Sequence, residues 1–356
     1  MTKARIKNII KELIKLKEKI MLDTFLATLN PMLTLFLCIS VGFALRKTNI
    51  LGAEASKILA KLENWVFVPA LNFSAMSQYF KIETLSAHAS NLILSSLSLV
   101  VSVIITLVLV KFFVKDKKSY DLGVYKYALT FANSGYMGDP IILALFGMRA
   151  FSFYKIVTLP MNILTYSWGL NLLVPKGEKK QSFIKNLVNA PMVGMLIGII
   201  AGLTGLADAL YASSSFSFLT SSIDSLKSCM GPTAMLIAGL TIAGFDIKKI
   251  FTNTKVYILS LFRLVIIPTI IIASVFALKE LSNLAFGLSL DNSILYLLFF
   301  AVATPLGMNT IVFPQAFGGD ATTGASMTAI SHTLCIISIP IMYALLTLIF
   351  GTAPIF

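Results

Sequence analysis

The stretch FANSGYMGDPIILALFG, residues 131–147, places helix-breaking and acidic residues between two apolar runs. Proline lacks a backbone donor and disfavours helical geometry in the residue before it, while glycine adopts conformations that other residues avoid. The sequence therefore predicts a helix that is interrupted here, with polar groups at the interruption. The candidate site residues in this stretch are Asn133, Gly135, Gly138, Asp139 and Pro140.

The composition of the whole chain indicates a membrane protein. Of its 356 residues, 57% are hydrophobic and only 13% are charged, too few to cover the surface of a soluble protein of this length. Apolar runs of about 20 residues recur, each long enough to cross the bilayer as a helix. Continuous runs without alternation favour helices over a β-barrel. We therefore expect an all-α polytopic membrane protein with ten spans, near 23–45, 58–76, 89–112, 123–147, 152–174, 188–207, 224–245, 255–278, 292–315 and 325–350.

The placement of Lys and Arg predicts the orientation of these spans. A net charge of +13 would suggest nucleic-acid binding in a soluble chain, but here the basic residues concentrate in alternate loops. By the positive-inside rule, the odd-numbered loops are cytoplasmic, both termini lie outside, and the protein resides in the cell membrane. The odd loops contain Arg46, Lys47, Lys57, Lys61, Lys111, Lys115, Lys117, Lys118, Lys126, Lys176, Lys179, Lys180, Lys185, Lys248, Lys249 and Lys255, and the even loops Lys81, Arg149, Lys155, Lys227 and Lys279.

Residues 1–22 form a basic N-terminal extension that does not fit this orientation. Its apolar residues, from Ile6 to Ile20, recur near one helical face, which predicts an amphipathic helix. Two interpretations remain open: the helix lies on a membrane surface, or translation starts at Met21.

Prolines recur at matching places in two halves of the chain. The match predicts a first five-helix repeat at 23–174, a cytoplasmic linker at 175–187 and a second five-helix repeat at 188–350. Because each repeat has an odd number of spans, the second must be inverted in the membrane, as in alternating-access transporters. The matching prolines are Pro31 and Pro191, Pro69 and Pro232, Pro140 and Pro305 or Pro314, and Pro160 and Pro340.

The counterpart of the opening stretch is ATPLGMNTIVFPQAFGGD, residues 303–320. Two interrupted helices at equivalent places would expose free backbone groups and helix N-termini to a bound solute. The alternative is a pair of kinked helices whose Asn side chains satisfy their own neighbours. The candidate site residues in this second stretch are Pro305, Gly307, Asn309, Thr310 and Pro314.

Two ionisable residues inside predicted spans are candidates for ion coupling or charge pairing. Asp139 would lie near the bilayer midplane, where a charge costs about 3 kcal/mol unless it is protonated, hydrated or paired. It could couple a proton or cation, pair with a nearby Lys or Arg, or indicate that the solute is not an ordinary dicarboxylate. Arg263 could bind an anion, pair with Asp139 or a helix C-terminus, or extend to the interface. Glu63 is interpreted as interfacial because it lies near the cytoplasmic edge of its span, beside Lys61.

Other classes of activity lack support in the sequence. With two His and three scattered Cys, no metal site, disulfide framework or hydrolytic triad is predicted. No phosphate-binding loop of an ATPase is present. We expect no enzyme activity and no cofactor.

The chain resembles the auxin efflux carrier family of membrane permeases, which includes plant auxin exporters and bacterial malate and malonate carriers. The resemblance runs from about residue 30 to 350. Asp139 departs from the family pattern, which usually has an apolar residue before this proline. The shared motifs are Phe67-Val68-Pro69-Ala70-Leu71, Asn133-x-Gly135-x-x-Gly138-x-Pro140, Asn189-x-Pro191, Gly231-Pro232-Thr233, Arg263-Leu264 and Pro305-x-x-x-Asn309.

The resemblance implies a secondary transporter of small organic anions, such as carboxylates or auxin-like acids. It implies that helices four and nine cross at their breaks and that substrate moves by an elevator-like displacement. Expected partners are the lipid bilayer and a small organic anion, with coupling to a proton, to sodium or to neither; a homodimer is left open. The alternatives are a channel or membrane-embedded sensor on the same scaffold, or a proton- or cation-coupled carrier of a solute that is not a dicarboxylate.

Overall fold

The computed structural model describes residues 3–116, 119–175, 188–286, 291–316 and 320–353. Most of the predicted linker and the Phe317-Gly318-Gly319 segment lie outside these ranges. Within them the chain is helical and contains no β-strand, only an isolated bridge. The helices are α1 (Lys3–Lys47), α2 (Ala55–Leu62), α3 (Val68–Tyr79), α4 (Leu85–Phe113), α5 (Asp121–Thr130), α6 (Asp139–Leu164), α7 (Leu170–Leu173), α8 (Ala190–Leu203), α9 (Leu206–Ala212), α10 (Ser217–Ser228), α11 (Met230–Ile242), α12 (Ile247–Thr252), α13 (Thr254–Leu261), α14 (Ile267–Phe286), α15 (Ser293–Ala303), α16 (Asn309–Ala316) and α17 (Thr322–Phe350).

Short π-helical segments join several of these helices end to end. They occupy Glu63–Phe67, Ser134–Gly138, Thr165–Gly169 and Phe262–Ile266, and 3-10 turns precede α4 and α10. A sharp break within α6 at Gly147, where φ is +76°, separates the predicted spans four and five. Glycine is suited to this position because a left-handed backbone strains other residues.

Five helical stretches of the described chain are long and apolar enough to cross a membrane. The bent pair α8 and α9, which turn by 87°, makes a sixth if it is counted as one span. This confirms a polytopic, all-α membrane protein. The five stretches are Ile14–Lys47, Ile82–Phe113, Ser134–Leu173, Thr254–Ala285 and Thr322–Phe350.

The predicted N-terminal extension and the first predicted span belong to one helix. With 45 residues, α1 extends roughly 68 Å, about twice the hydrocarbon thickness. Pro31 lies inside this helix without ending it.

Two pairs of helices pack in very close contact. α1 packs along α11, and α3 packs along α8. A Cβ atom on Gly239 would lie 2.0 Å from the Ile39 carbonyl oxygen, and one on Gly194 would lie 2.6 Å from the Pro69 carbonyl oxygen. The backbones approach this closely because glycine occupies the contact, a common device in membrane helix packing.

Replacing Gly239 by Val should therefore destabilise the fold, because α1 must move away from α11. We expect a loss of about 1–3 kcal/mol, the usual cost of overpacking a tight contact, measured as a lower unfolding temperature in detergent. Gly52→Val is the control, since Gly52 is exposed and a Cβ there has no atom within 4 Å. Equal stability of the two variants would contradict the described packing.

Candidate functional site

Two interrupted helices cross where their backbones are extended. After α5 the chain is extended at Phe131, and after α15 it is extended at Thr304. Ala132 and Leu306 form an antiparallel bridge, and the Asn133 N–H donates to the Pro305 carbonyl oxygen at 2.8 Å. The two breaks thus satisfy part of each other's backbone hydrogen bonding away from water.

The structure corrects the position of the first break and locates the second. The first lies at residues 131–133, and Pro140 sits in the first turn of α6, where proline is tolerated. The second lies at residues 304–308, just before Asn309, and Pro314 is inside α16. Pro305 accounts for the second break, because it biases Thr304 towards extended geometry.

Nearby side chains satisfy further backbone groups of the breaks. The Tyr154 hydroxyl donates to the Ser134 carbonyl at 2.9 Å, and the Leu306 N–H donates to the Ser331 hydroxyl at 3.1 Å. A Cβ on Gly138 would lie 2.0 Å from the Tyr154 hydroxyl oxygen, so this glycine makes room for that contact. A Cβ on Gly135 would meet nothing within 4 Å.

Asn133 is held by a buried histidine. Its amide nitrogen lies 3.3 Å from His332 Nε2, and His332 Nδ1 lies 2.8 Å from the Thr328 carbonyl oxygen. Because a carbonyl can only accept, Nδ1 carries the proton, and Nε2 accepts from the Asn133 amide. His332 therefore orients Asn133 as a neutral ring.

Residues of the second break have different surroundings. The Asn309 amide donates to the Tyr127 hydroxyl at 2.7 Å. Thr310 is fully buried, with its hydroxyl donating to the Gly307 carbonyl at 3.0 Å and lying 3.2 Å from the Thr328 hydroxyl. The side-chain oxygen of Asn309 takes no part in the bond to Tyr127. Thr310 closes the turn that starts α16.

Asp139 forms a buried ion pair with Lys155. Lys155 Nζ lies 3.0 Å from Asp139 Oδ2, and both side chains are buried. The ammonium also lies 5.4 Å from the centre of the Phe151 ring. The structure corrects the sequence interpretation, because Lys155 belongs to α6 rather than to an exposed loop.

Arg263 lies apart from this ion pair and from the cavity described next. It is buried on the π-helical segment Phe262–Ile266. Its three guanidinium nitrogens have no hydrogen-bond partner in the part of the chain that the structure describes. Of the alternatives that the sequence left open for Arg263, pairing with Asp139 does not occur in this structure, because Asp139 pairs with Lys155.

A polar cavity of about 120 Å³ lies beside the crossing. Of the sequence-predicted residues, Asn133, Gly135, Asp139, Gly307 and Asn309 line it. The rest of the described lining comes from the segments on either side, namely Glu63, Asn64, Val68, Asn72, Tyr127, Ala132, Ser134, Tyr136, Lys155, Leu159, Asn162, Thr165, Tyr166, Asn189, Pro191, Met192, Met195, Met230 and Met308.

Five predicted site residues and Arg263 are not part of the described lining. Pro305 lies in the second break, and the others lie in the helical segments that follow the two breaks. The five are Gly138, Pro140, Pro305, Thr310 and Pro314.

Sequence reasoning missed Glu63 and Lys155 as parts of the cavity. Glu63 is completely buried and not interfacial: it begins the π-helical segment Glu63–Phe67 and lines the cavity. The neighbouring Lys61 suggested an interfacial position for Glu63, since a charged pair near the end of a span usually marks the interface. The signal available for Lys155 was its position in the apolar run FSFYKIVTLP, 16 residues after Asp139.

This geometry defines a polytopic helical membrane protein with a polar cavity at the crossing of two interrupted helices. A family model described as "Membrane transport protein" matches the chain over residues 27–183 and 179–343. These matches cover most of the chain, so the protein belongs to this family of auxin efflux carrier type, and the resemblance drawn from its motifs is confirmed. A comparison with curated proteins gave no match. Membership makes the chain a membrane transporter, which interacts with the lipid bilayer and with a small-molecule substrate.

The buried ion pair leads to a stability prediction. Lys155→Met alone should cost about 3–5 kcal/mol, because it leaves the Asp139 carboxyl buried without its partner. The double variant Asp139→Asn with Lys155→Met should recover much of that loss. Unfolding temperatures in detergent measure both.

An exposed ion pair serves as the control for these single and double variants. Lys57 Nζ lies 3.1 Å from Glu54 Oε1, and both side chains are exposed. Lys57→Met should change stability by no more than about 1 kcal/mol. Strictly additive effects at Asp139 and Lys155 would contradict a direct interaction.

Proposed function

We propose that this protein is a secondary carrier of small organic anions that binds its substrate at the crossing of the two interrupted helices. The observation that carries the proposal is that two helices begin at the cavity, one at Ser134 and the other at Asn309. The first N–H groups of a helix have no partner within it, and its dipole favours a negative group there. A carboxylate in this cavity would meet the first N–H groups of the helix that begins at Ser134. At the second helix start the Thr310 and Ile311 N–H groups already donate to the Gly307 and Met308 carbonyls, so that start contributes its dipole.

The proposal includes ten spans arranged as two inverted five-helix repeats. The contact of α1 (span one) with α11 (span seven) has a counterpart in the contact of α8 (span six) with α3 (span two). Exchanging the repeats converts one contact into the other. The antiparallel bridge between Ala132 and Leu306 also supports inversion, since it joins equivalent breaks running in opposite directions.

The proposal also includes an elevator-like displacement of one part of the protein against the other. The scaffold consists of α1, α2, α3, α8, α10 and α11, and the crossing helices belong to the moving part. The cavity lies between these parts, with Leu159 and Asn162 on one side and Pro191 and Met192 on the other. α17 (span ten) is the counterpart of span five in the second repeat. Unlike span five, which borders the cavity, α17 packs along α1 of the scaffold. Repeat symmetry then suggests a second state in which α17 separates from α1 and the present cavity closes.

The orientation proposed for this state follows from the charge distribution. Asn189 and Pro191 follow the predicted cytoplasmic linker, and Asn64 follows the predicted cytoplasmic loop. Since these residues line the cavity, it faces the cytoplasmic side in this conformation.

Uptake into proteoliposomes tests the proposal. Malate, malonate and indole-3-acetate, each radiolabelled, are the probes, and we expect saturable uptake of at least one. Asn133→Ala and Asn309→Ala should each reduce uptake about tenfold, the effect of losing one hydrogen bond to a charged substrate. Asn30→Ala, on the exposed face of α1, is the control and should retain wild-type uptake. Non-saturating conductance far above carrier rates would instead indicate a channel.

A second measurement separates ion pairing from proton coupling at Asp139. Because its carboxyl is bonded to Lys155, we expect Asp139→Asn to lower the uptake rate at every pH and to leave the shape of the pH profile unchanged. Uptake of the same probes from pH 5 to 8 checks this. Loss of a pH dependence that the wild type has would show that Asp139 carries the coupled proton.

A further inference from the structure

Glu63 is a buried acid that the proposed anion carrier does not explain. Its side chain is completely buried in the π-helical segment Glu63–Phe67 and lines the cavity. Neither carboxyl oxygen has a hydrogen-bond partner in the part of the chain that the structure describes. A buried carboxyl group without partners is costly, and such groups in membrane proteins commonly serve function.

The unpartnered atoms of the cavity share one property. Among the described lining residues, the buried side-chain atoms without a hydrogen bond are Glu63 Oε1, Glu63 Oε2, Asp139 Oδ1 and Asn72 Oδ1. All four are acceptors. A ligand that completes their hydrogen bonding must therefore bring donors.

The charges of the cavity favour the same kind of ligand. Lys155 is hydrogen-bonded to Asp139, so these two groups compensate each other, whereas neither oxygen of the Glu63 carboxyl has a hydrogen-bond partner among the described residues. A simple organic anion would bring neither donors nor a counter-charge to the Glu63 carboxyl, whereas a protonated amino group offers three donors and a compensating positive charge.

The same cavity also has a place for a carboxylate. Ser134, Gly135 and Tyr136 line it, and they begin a helix whose first N–H groups lack partners within the helix. This positive helix end and the acidic side chain of Glu63 border a single small cavity. A solute with both an amino and a carboxylate group therefore complements it better than a solute with a carboxylate alone.

We infer that the transported acid carries a protonated amino group, as an amino acid does, and that Glu63 binds this group. The inference rests on the proposed carrier function, keeps the carboxylate of its substrate, and adds a positively charged amino group to it. Asp139 Oδ1 and Asn72 Oδ1 accept further hydrogen bonds from the amino group, while the carboxylate binds at the helix start at Ser134.

Matched pairs of ligands that differ by one amino group test this inference. The probes are L-alanine and propanoate, L-aspartate and butanedioate, L-leucine and 4-methylpentanoate, and L-phenylalanine and 3-phenylpropanoate. Binding to the purified full-length protein is measured by thermal shift and by calorimetry, and uptake by proteoliposomes. We expect the amino acid of at least one pair to bind at least about tenfold more tightly than its partner, as one charge-assisted hydrogen bond provides.

The variant Glu63→Gln keeps the size of the side chain and removes its charge. It should weaken amino acid binding by about tenfold and leave binding of the matched acid unchanged or tighter. Glu54→Gln, on the exposed pair with Lys57, is the control and should behave as the wild type. The unfolding temperature of each variant without ligand shows that it is folded.

Three outcomes would overturn the inference. If the matched acids bind as tightly as the amino acids and are taken up, the carrier function stands but its substrate needs no amino group. A second outcome is that sodium, and no amino acid, raises the unfolding temperature of the wild type but not of Glu63→Gln. If replacing sodium by N-methyl-D-glucamine abolishes that rise, Glu63 binds an inorganic cation. If no probe of either kind binds or enters liposomes, both the inference and the proposed carrier function fail.

Discussion

The hydrogen bonding of two extended backbone segments is the constraint on which the rest of this structure depends. Inside a membrane no water can satisfy an interrupted helix, so each break needs protein partners. The Asn133 N–H meets the Pro305 carbonyl, and Tyr154 and Ser331 satisfy further groups. Each break therefore supplies hydrogen-bond partners for the other. The polar cavity is a consequence of bringing them together.

The electrostatics of the cavity follow from its burial. Lys155 and Asp139 compensate each other's charge, and such a pair is stable in a low dielectric only when its geometry is good. Glu63 has no comparable partner among the described residues. Its unused acceptors distinguish a ligand site from a packed core, where polar groups are normally hydrogen-bonded. The proposed substrate class therefore rests on which groups are left over and not on the size of the cavity.

Local sequence patterns predicted the interrupted helices but located the breaks imprecisely. Pro140 suggested a break beside itself, yet proline is tolerated in the first turn of α6, and the first break lies earlier, at residues 131–133. The actual breaks lie where the two chains cross, which depends on contacts between residues about 170 positions apart, such as Asn133 with Pro305. Glu63 was interpreted as interfacial for a similar reason, because a charge near a span end gives no information about which way its helix turns.

The sequence by itself determined the class of this protein. Its apolar composition requires lipid as the solvent, a bilayer permits helices, and paired proline- and glycine-containing motifs identify the family. Only the tertiary structure decided that Asp139 pairs with Lys155, that His332 orients Asn133, and that Glu63 faces the same cavity. The physical reason is that burial and charge pairing arise between distant segments. A local pattern fixes which residues can break a helix, whereas the packed fold fixes what those residues then contact.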